Sequence, residues 1–229
     1  MNVDDTMSCD KTCSGFTDEE RESFYRLIAA RRDVRKFRTD PVPEEVLNRV
    51  LWAAHHAGSV GFMQPWNFIV IKDAAIKASV KQLYVHANEK AAAHYSGEVR
   101  ALYDTLKLEG IVESPINVCI TCDRTRGGKH VLGRNSIPET DLYSTCTCVQ
   151  NFWLAARVEG VGVGWVSIVD NDSLSSLLGL PEHVVPVAYL CVGYPVEFAP
   201  IPELQTLGWR DRLPMEDLVY YDRWPDGSE

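Results

Sequence analysis

Residues 31–38, Arg31-Arg32-Asp33-Val34-Arg35-Lys36-Phe37-Arg38, place four arginines and one lysine around a single carboxylate. The planar fork of arginine suits the oxygens of a phosphate. In a chain of net charge -9, this local concentration of positive charge predicts a bound dianion rather than a nucleic-acid surface. Asp33 would repel a phosphate, so its place in the cluster predicts a role of its own. The alternative is a solvated helix end in which Asp33 pairs with an arginine.

Length and composition predict a globular chain with a substantial core. Its 229 residues are 45% hydrophobic and 24% charged, and they show neither an internal repeat nor a clear domain boundary. We expect a flexible tail over residues 1–16, then a single domain over 17–229 that ends in an extended arm from Pro200. The tail lacks the apolar centre of a secretory signal, and no run of ~18 apolar residues predicts a membrane span. These features favour a cytoplasmic location.

The cysteines raise the alternative of a metal site. Cys119 and Cys122 form a C-x-x-C pair, and Cys146 and Cys148 form a C-x-C pair; such spacings can hold zinc. However, the first pair lies in a predicted strand, where residues three apart point to opposite faces. The second pair lies in a predicted helix, where residues two apart diverge by about 200°. We therefore expect free thiols and no metal site.

Periodicity predicts alternating helices and strands. A capping box at Thr17-Asp18-Glu19-Glu20 begins a helix with Phe24, Leu27 and Ile28 on one face. Further helices are expected from 41–45 up to Gly58, over 74–109 with a break at 95–97, over 141–156 and over 174–178. Strands are expected over 67–71, 116–122, 160–168 and 184–192. The helix over 141–156 should turn inward Leu142, Thr145, Cys146, Val149, Trp153 and Ala156. This alternation favours an α/β or α+β fold with a small central sheet.

Three further motifs combine residues suited to a ligand. Residues 58–68 form a loop of glycines, a hydroxyl, an amide and aromatic rings, which can bind the edge of a heteroaromatic ring; the alternative is a turn leading into a strand. Residues 162–167 form a glycine-interrupted strand, and such glycines mark the close approach of a ligand or of backbone. Alternation puts Val163, Trp165 and Ser167 on one face of it. Residues 208–214 add Arg210 and Arg212, whose alternative is an ion pair with Asp211 or Glu216.

Together these motifs resemble the flavin-binding nitroreductase superfamily, over about residues 24–219. The resemblance rests on the arginines at 31–35, the Ser-x-x-x-x-Gln-Pro-Trp loop at 59–66, the strand at 162–167 and the Arg-x-x-x-Pro at 210–214. Segments 106–111, 121–128, 141–145 and 160–168 narrow it to the branch that makes 5,6-dimethylbenzimidazole. Asp33 stands where ordinary nitroreductases carry a serine, and Phe62 where they carry an asparagine.

The resemblance implies an α+β, nitroreductase-like three-layer fold with a small central mixed sheet flanked by helices, in a domain-entwined homodimer with FMN at the subunit interface. It also implies a set of FMN-binding residues. These are Arg31, Arg32, Asp33, Val34, Arg35, Ser59, Val60, Gly61, Met63, Gln64, Leu108, Gly164, Trp165, Val166, Ser167, Arg210 and Arg212.

The implied reaction consumes the flavin. Reduced FMN and dioxygen would give 5,6-dimethylbenzimidazole, the lower axial ligand of vitamin B12, and erythrose 4-phosphate. Asp33 would be the general base, kept ionised by the arginines, and Ser167 the second catalytic residue. Phe62, Met63, Val163 and Trp165 would exclude water.

Two other functions stay open on the sequence. One is an ordinary nitroreductase or NAD(P)H:flavin oxidoreductase that recycles FMN. The other is a flavin-binding or metal-binding module without catalysis. If the flavin is consumed, a flavin reductase that supplies reduced FMN becomes a candidate partner. Nucleic acid and membranes are not expected partners.

Overall fold

The computed structural model describes residues 15–225. Most of the predicted 1–16 tail therefore lies outside the described residues. The helices are α1 Asp18–Ala30, α2 Glu44–His55, α3 Ala74–Ala92, α4 Gly97–Thr105, α5 Thr140–Val158, α6 Asn171–Leu178 and α7 Glu203–Thr206. The strands are β1 Trp66–Ile71, β2 Ile116–Asp123, β3 Gly162–Val166 and β4 Val184–Gly193. Within 15–225, no helix combines the length and apolar character needed to cross a bilayer.

The sheet has the strand order β1-β2-β4-β3, and every neighbouring pair is antiparallel. The expectation of a mixed sheet was therefore wrong for these four strands. The single helix α5 returns the chain so that β2 and β3 point the same way. Because β4 inserts between them and runs the other way, it pairs antiparallel with both. A parallel contact occurs only as the isolated bridge between Asp33 and Val163, among the residues described.

Two hydrophobic clusters cover the two faces of the sheet and confirm the three-layer arrangement. On one face, α2 and α5 pack through Val50, Val149 and Phe152. On the other face, α3 and α6 pack through Val80 and Leu174. Each strand buries its alternate side chains against one of these layers, so the sheet has no solvated face.

Most of the predicted elements are confirmed. Thr17 caps α1 through the complete capping box with Glu20, and the break at 95–97 separates α3 from α4. The inward face of α5 was partly wrong. Thr145, Val149 and Ala156 are buried as expected, whereas Cys146 is exposed and Leu142 and Trp153 are only half-buried. The buried stripe follows the i, i+4 row Ser144, Cys148, Phe152, Ala156, so the side chains of Cys146 and Cys148 diverge as predicted.

Helix α1 and the short helix α7 differ from the other helices because neither has a buried residue. Phe24 is 52% exposed and Ile28 is 44% exposed, on the face that the sequence predicted to be apolar. The C-terminal segment after Pro200 is also largely exposed, as expected for an arm, although it contains the short helix α7. These two elements leave apolar surface without cover in the single chain.

Candidate active site

Asp33 lies beside β3, where the chain leaves α1 in an extended conformation. The Val34 N–H donates to the Val163 carbonyl oxygen at 2.9 Å. The Trp165 N–H donates to Asp33 Oδ1 at 2.9 Å, and the Arg35 guanidinium donates to both carboxylate oxygens. The carboxylate is therefore held by a backbone amide on one side and a guanidinium on the other.

The glycines of β3 make this arrangement possible. A Cβ on Gly164 would overlap the Val34 carbonyl oxygen and lie 2.7 Å from Arg35 Nη1. A Cβ on Gly162 would lie 2.8 Å from Val34 Cγ2. A glycine within a strand marks the close approach of either a ligand or backbone, and at Gly164 the backbone of Val34 approaches. Both glycines face Val34, whereas Val163 points the other way into the core beneath α5. Val163 therefore does not line the pocket beside Asp33, contrary to the prediction that it would exclude water there.

The surroundings of Asp33 raise the pKa of its carboxyl group above the ordinary 3.8. Burial among neighbouring atoms is the main cause, and the charge of Arg35, the Trp165 N–H and the charge of Arg31 offset it only in part. The arginines favour the ionised form, as expected, but desolvation has the larger effect on the pKa. The Asp33 side chain is 40% exposed, and it lines a pocket. A carboxylate with a raised pKa is a stronger general base.

That pocket measures about 120 Å³. Its lining combines the arginine segment with residues after α4 and around the start of α7: Arg31, Arg32, Asp33, Arg35, Lys107, Leu108, Pro202, Glu203 and Leu204. Sites that enclose a small molecule usually measure about 300–1,000 Å³. The pocket of the single chain is therefore smaller than such a site, and its lining is rich in cationic side chains.

Arg31 supplies positive charge to the pocket that no carboxylate neutralises. Its guanidinium carbon lies 4.5 Å from the centroid of the Trp153 ring, and within residues 15–225 it forms no ion pair. Burial, together with the charges of Arg32 and Arg212, lowers its pKa, although Asp33 acts in the opposite direction. Arg212 is thus close enough for its charge to act on Arg31. Surplus half-buried cations of this kind fit a phosphate dianion.

Arg32 and Arg35 line the pocket, but their guanidinium groups are mainly used for contacts within the protein. Arg32 donates to the carbonyl oxygens of Ala29 and Arg31, each at 2.7 Å, and to that of Pro200. Its Nε is buried and has no hydrogen-bond partner among the described residues. The side chain of Arg35 is 11% exposed and is paired with Asp33. Arg210 and Arg212 line an adjoining hollow that shares Pro202 and Leu204 with the pocket.

The loop at residues 59–64, which we call the ring loop, is strained and firmly held. Gly61, Phe62 and Gln64 have φ values of 60°, 52° and 46°, and side chains other than glycine rarely adopt such values. Its two ends are tied by hydrogen bonds, Val60 N–H to Ser144 Oγ and Gln64 N–H to Ser59 Oγ, both at 3.1 Å. Strain of this kind concentrates at functional sites, which favours the ligand-binding interpretation over a simple turn.

The structure does not bring the ring loop and Asp33 together within one chain. Through β2, Trp66 at the start of β1 lies level with Val185 of β4, whereas Val163 lies level with Val192. Seven residues along a strand span about 23 Å, and three strand spacings add about 14 Å across the sheet. Both segments can contact one small molecule only if a second copy of the chain supplies one of them.

The remaining predicted site residues do not all lie at the arginine pocket. Ser167 follows β3 directly and is exposed, and its hydroxyl has no hydrogen-bond partner within residues 15–225. It shares a hollow of about 150 Å³ with Trp165 and Val166. Leu108 lines the arginine pocket. Met63 is buried, but Phe62 is 83% exposed and covers nothing in the single chain.

Sequence reasoning missed two residues of the site. Lys107 lines the arginine pocket while its ammonium pairs with Glu113 at 2.7 Å. Trp153 supplies the ring beneath Arg31. Lys107 lies in segment 106–111, which resembles the branch of the family that makes 5,6-dimethylbenzimidazole. No local sequence pattern shows that Lys107 faces the arginines. Only the packing of the segment after α4 against the end of α1 places it there.

The chain combines three-layer packing, a short antiparallel sheet and the arginine pocket. Its sequence also matches a protein-family model. The model described as "Nitroreductase family" matches residues 28–194. The chain belongs to the nitroreductase family. A solved structure of iodotyrosine deiodinase bound to FMN and 3-iodo-L-tyrosine has the same fold, with a TM-score of 0.69 at 21% identity over 87% of this chain and 99% of that one.

Curated relatives narrow the comparison within the family. The chain is 42% identical, over 85% of its length and 92% of the relative, to the 5,6-dimethylbenzimidazole synthase of Rhodospirillum rubrum. It is 37% identical, over 88% of its length and 97% of the relative, to the enzyme of the same name from Rhodobacter capsulatus. The similarity spans nearly the whole length of both relatives.

Proposed function

We propose that this chain is a 5,6-dimethylbenzimidazole synthase that consumes reduced FMN and dioxygen and releases 5,6-dimethylbenzimidazole and erythrose 4-phosphate. The observation that carries the proposal is Asp33, a carboxylate with a raised pKa fixed at the edge of a cationic pocket. Relatives of that name at 37% and 42% identity support it. No observation on this chain favours a reductase that recycles FMN.

The residues of the site fit a flavin mononucleotide bound by its phosphate. Arg31, with Arg210 and Arg212 from the arm, would bind the phosphate, because Arg31 is a half-buried cation without an ion-pair partner in the described part of the chain. Arg32 and Arg35 contribute by holding the segment. The other predicted FMN contacts, Val34, Ser59, Val60, Gly61, Met63, Gln64, Leu108, Gly164, Trp165 and Val166, surround the rest of the molecule in this proposal.

Two residues would act on the reacting atoms. Asp33 would accept a proton from the first ribityl carbon, a proton transfer that breaking the ribityl chain requires. Ser167 offers an exposed hydroxyl two residues beyond the amide that holds Asp33, and it would donate or accept a hydrogen bond at the nitrogen side of a bound flavin. Reduced flavin supplies the electrons for dioxygen. Because the flavin is consumed in this proposal, a flavin reductase that supplies reduced FMN is a candidate partner, and we propose a cytoplasmic location.

Aerobic incubation with reduced FMN, followed by mass spectrometry, tests the proposal directly. We expect 5,6-dimethylbenzimidazole and erythrose 4-phosphate in equal amounts, with an irreversible loss of flavin absorbance. Full return of the oxidised FMN spectrum without either product would instead identify a reductase that recycles its cofactor.

We also propose a C2 homodimer, because the single chain leaves its site incomplete. The ring loop and Asp33 lie too far apart to share one ligand, and α1 and the arm expose apolar side chains such as Phe24 and Met215. Light scattering at micromolar concentration should give twice the chain mass of 25.7 kDa. A fully active monomer would contradict this arrangement.

Arg31→Ala should weaken the binding of reduced FMN. A charge-assisted hydrogen bond contributes about 1.5–3 kcal/mol, so the dissociation constant should rise by roughly 10- to 150-fold. Anaerobic fluorescence titration measures it. Arg38→Ala is the matched control, because Arg38 belongs to the same run but pairs with Asp40 on the surface at 2.8 Å. Equal affinities for both variants and the wild type would place the phosphate elsewhere.

The rate of benzimidazole formation should rise with pH through the pKa of Asp33. Only the ionised carboxylate accepts a proton, and its pKa lies above 3.8 because of burial. Arg35 is the largest influence that opposes burial, so Arg35→Gln should move this rise to still higher pH. A pH profile of kcat/KM for both proteins makes the comparison. A shift to lower pH in the variant would show that another group titrates.

A further inference from the structure

The Arg126 guanidinium forms hydrogen bonds with the end of the ring loop and the start of β1. Nη1 donates to the carbonyl oxygens of Gln64 at 3.0 Å and Trp66 at 3.5 Å. Nη2 donates to Asn67 Oδ1 at 2.6 Å, and Nε to Asp123 Oδ2 at 3.4 Å. The Arg126 side chain thus connects the turn after β2 to the last residue of the ring loop and to the first two residues of β1.

One of these hydrogen bonds is made to Gln64, which with Phe62 is one of two non-glycine residues of the loop that have a positive φ. Gln64 has a φ of 46°, a conformation that costs about 1–3 kcal/mol for a residue with a side chain. Its N–H is held by Ser59 Oγ at 3.1 Å, and its carbonyl oxygen by Arg126. Both peptide groups of Gln64 are therefore held by side chains, one from within the ring loop and one from the turn after β2. Such fixation sets the direction in which the Gln64 side chain leaves the backbone.

The turn that carries Arg126 is itself fixed by a second arginine. Arg134 donates to the carbonyl oxygens of Arg126 at 2.9 Å and Arg124 at 3.2 Å, and also to that of Gly128. Gly127 and Gly128 have φ values of 81° and 82°, which only glycine adopts readily. The 121–128 segment, which carried part of the narrower resemblance, thus builds a rigid support for one guanidinium.

We propose that Arg126 is a positioning residue that holds the ring loop, and Gln64 in particular, in the geometry that binds the flavin ring. The inference rests on the proposed function, in which this loop contacts the ring. It assigns no contact between Arg126 and the flavin. The guanidinium acts through the backbone of Gln64, and its planar fork is required because one charge at one point cannot reach the acceptors on both sides.

Arg126→Lys and Arg124→Lys make a matched pair for the test. Both keep the charge and lie in the same turn, but Arg124 pairs with Asp141 at 3.2 Å and has no contact with the ring loop among the described residues. Two quantities are measured: the dissociation constant for oxidised FMN, and the fraction of consumed reduced FMN that is recovered as 5,6-dimethylbenzimidazole. Arg126→Ala is assayed with and without millimolar guanidinium ion, and thermal unfolding is recorded for every variant.

We expect Arg126→Lys to weaken FMN binding by about tenfold, the effect of one lost hydrogen bond, and to lower the product fraction several-fold. Arg124→Lys should stay within about twofold of the wild type, and guanidinium ion should restore Arg126→Ala. Wild-type values for Arg126→Lys would overturn the inference. So would equal losses in both lysine variants, or a lowered unfolding temperature in Arg126→Ala that guanidinium does not correct. If the wild type forms no benzimidazole, the proposed function fails, and the FMN affinities still decide the role of Arg126.

Discussion

Asp33→Asn should lose benzimidazole formation by ~100-fold or more and still bind reduced FMN. A positioned general base contributes about 10²–10⁴ to a rate, and asparagine cannot accept the proton. The change is isosteric, so the amide oxygen can still accept from the Trp165 N–H, which donates to Asp33 Oδ1 at 2.9 Å. It also removes a negative charge beside the phosphate site. Product formation is measured by mass spectrometry after aerobic incubation, and affinity by anaerobic titration.

The two measurements together separate a catalytic role from a structural one. Lost product with retained affinity supports Asp33 as the base. Product at the wild-type rate would show that Asp33 is only the ion-pair partner of Arg35, and the proposed mechanism would fail. A reductase that recycles FMN predicts no benzimidazole from either protein.

Gly164→Ala should damage both stability and activity. The added Cβ would overlap the Val34 carbonyl oxygen, and backbone cannot rotate away as a side chain can. Forcing a methyl group into such a contact costs about 1–3 kcal/mol. The segment that carries Asp33 must then move from β3, and a displacement of about 1 Å at a reacting group can cost ~100-fold in rate. Urea unfolding and product formation measure the two effects.

Gly162→Ala is the matched control on the same strand. Its Cβ would meet the Val34 side chain, with Cγ2 at 2.8 Å and Cβ and Cγ1 at 3.0 Å, which is a less severe overlap than that of Gly164 with the Val34 carbonyl oxygen. We therefore expect a smaller loss of stability and a rate close to that of the wild type. Equal behaviour of both alanine variants, with the wild-type rate retained, would refute the close packing of Asp33 against β3.

The elements of the fold were largely predictable because their signals are local. The capping box at Thr17, the break at 95–97 and the apolar runs of the strands each depend on neighbours within a few residues. The inward face of α5 was less predictable, because Cys146 and Cys148 are equally apolar and only the neighbouring layer decides which is buried. Strand directions also depend on which strand inserts between β2 and β3.

The sequence by itself determined the residue types of the site: clustered arginines, one acid among them, a strained glycine-containing loop and a strand with two glycines. Tertiary structure decided how these are used. It paired Arg35 with Asp33, left Arg31 without a carboxylate in the described part of the chain, and raised the pKa of Asp33 by burial. It also placed the ring loop far from Asp33 within one chain. Ion pairing and desolvation depend on groups that are distant in the sequence, so no local pattern of residues predicts them.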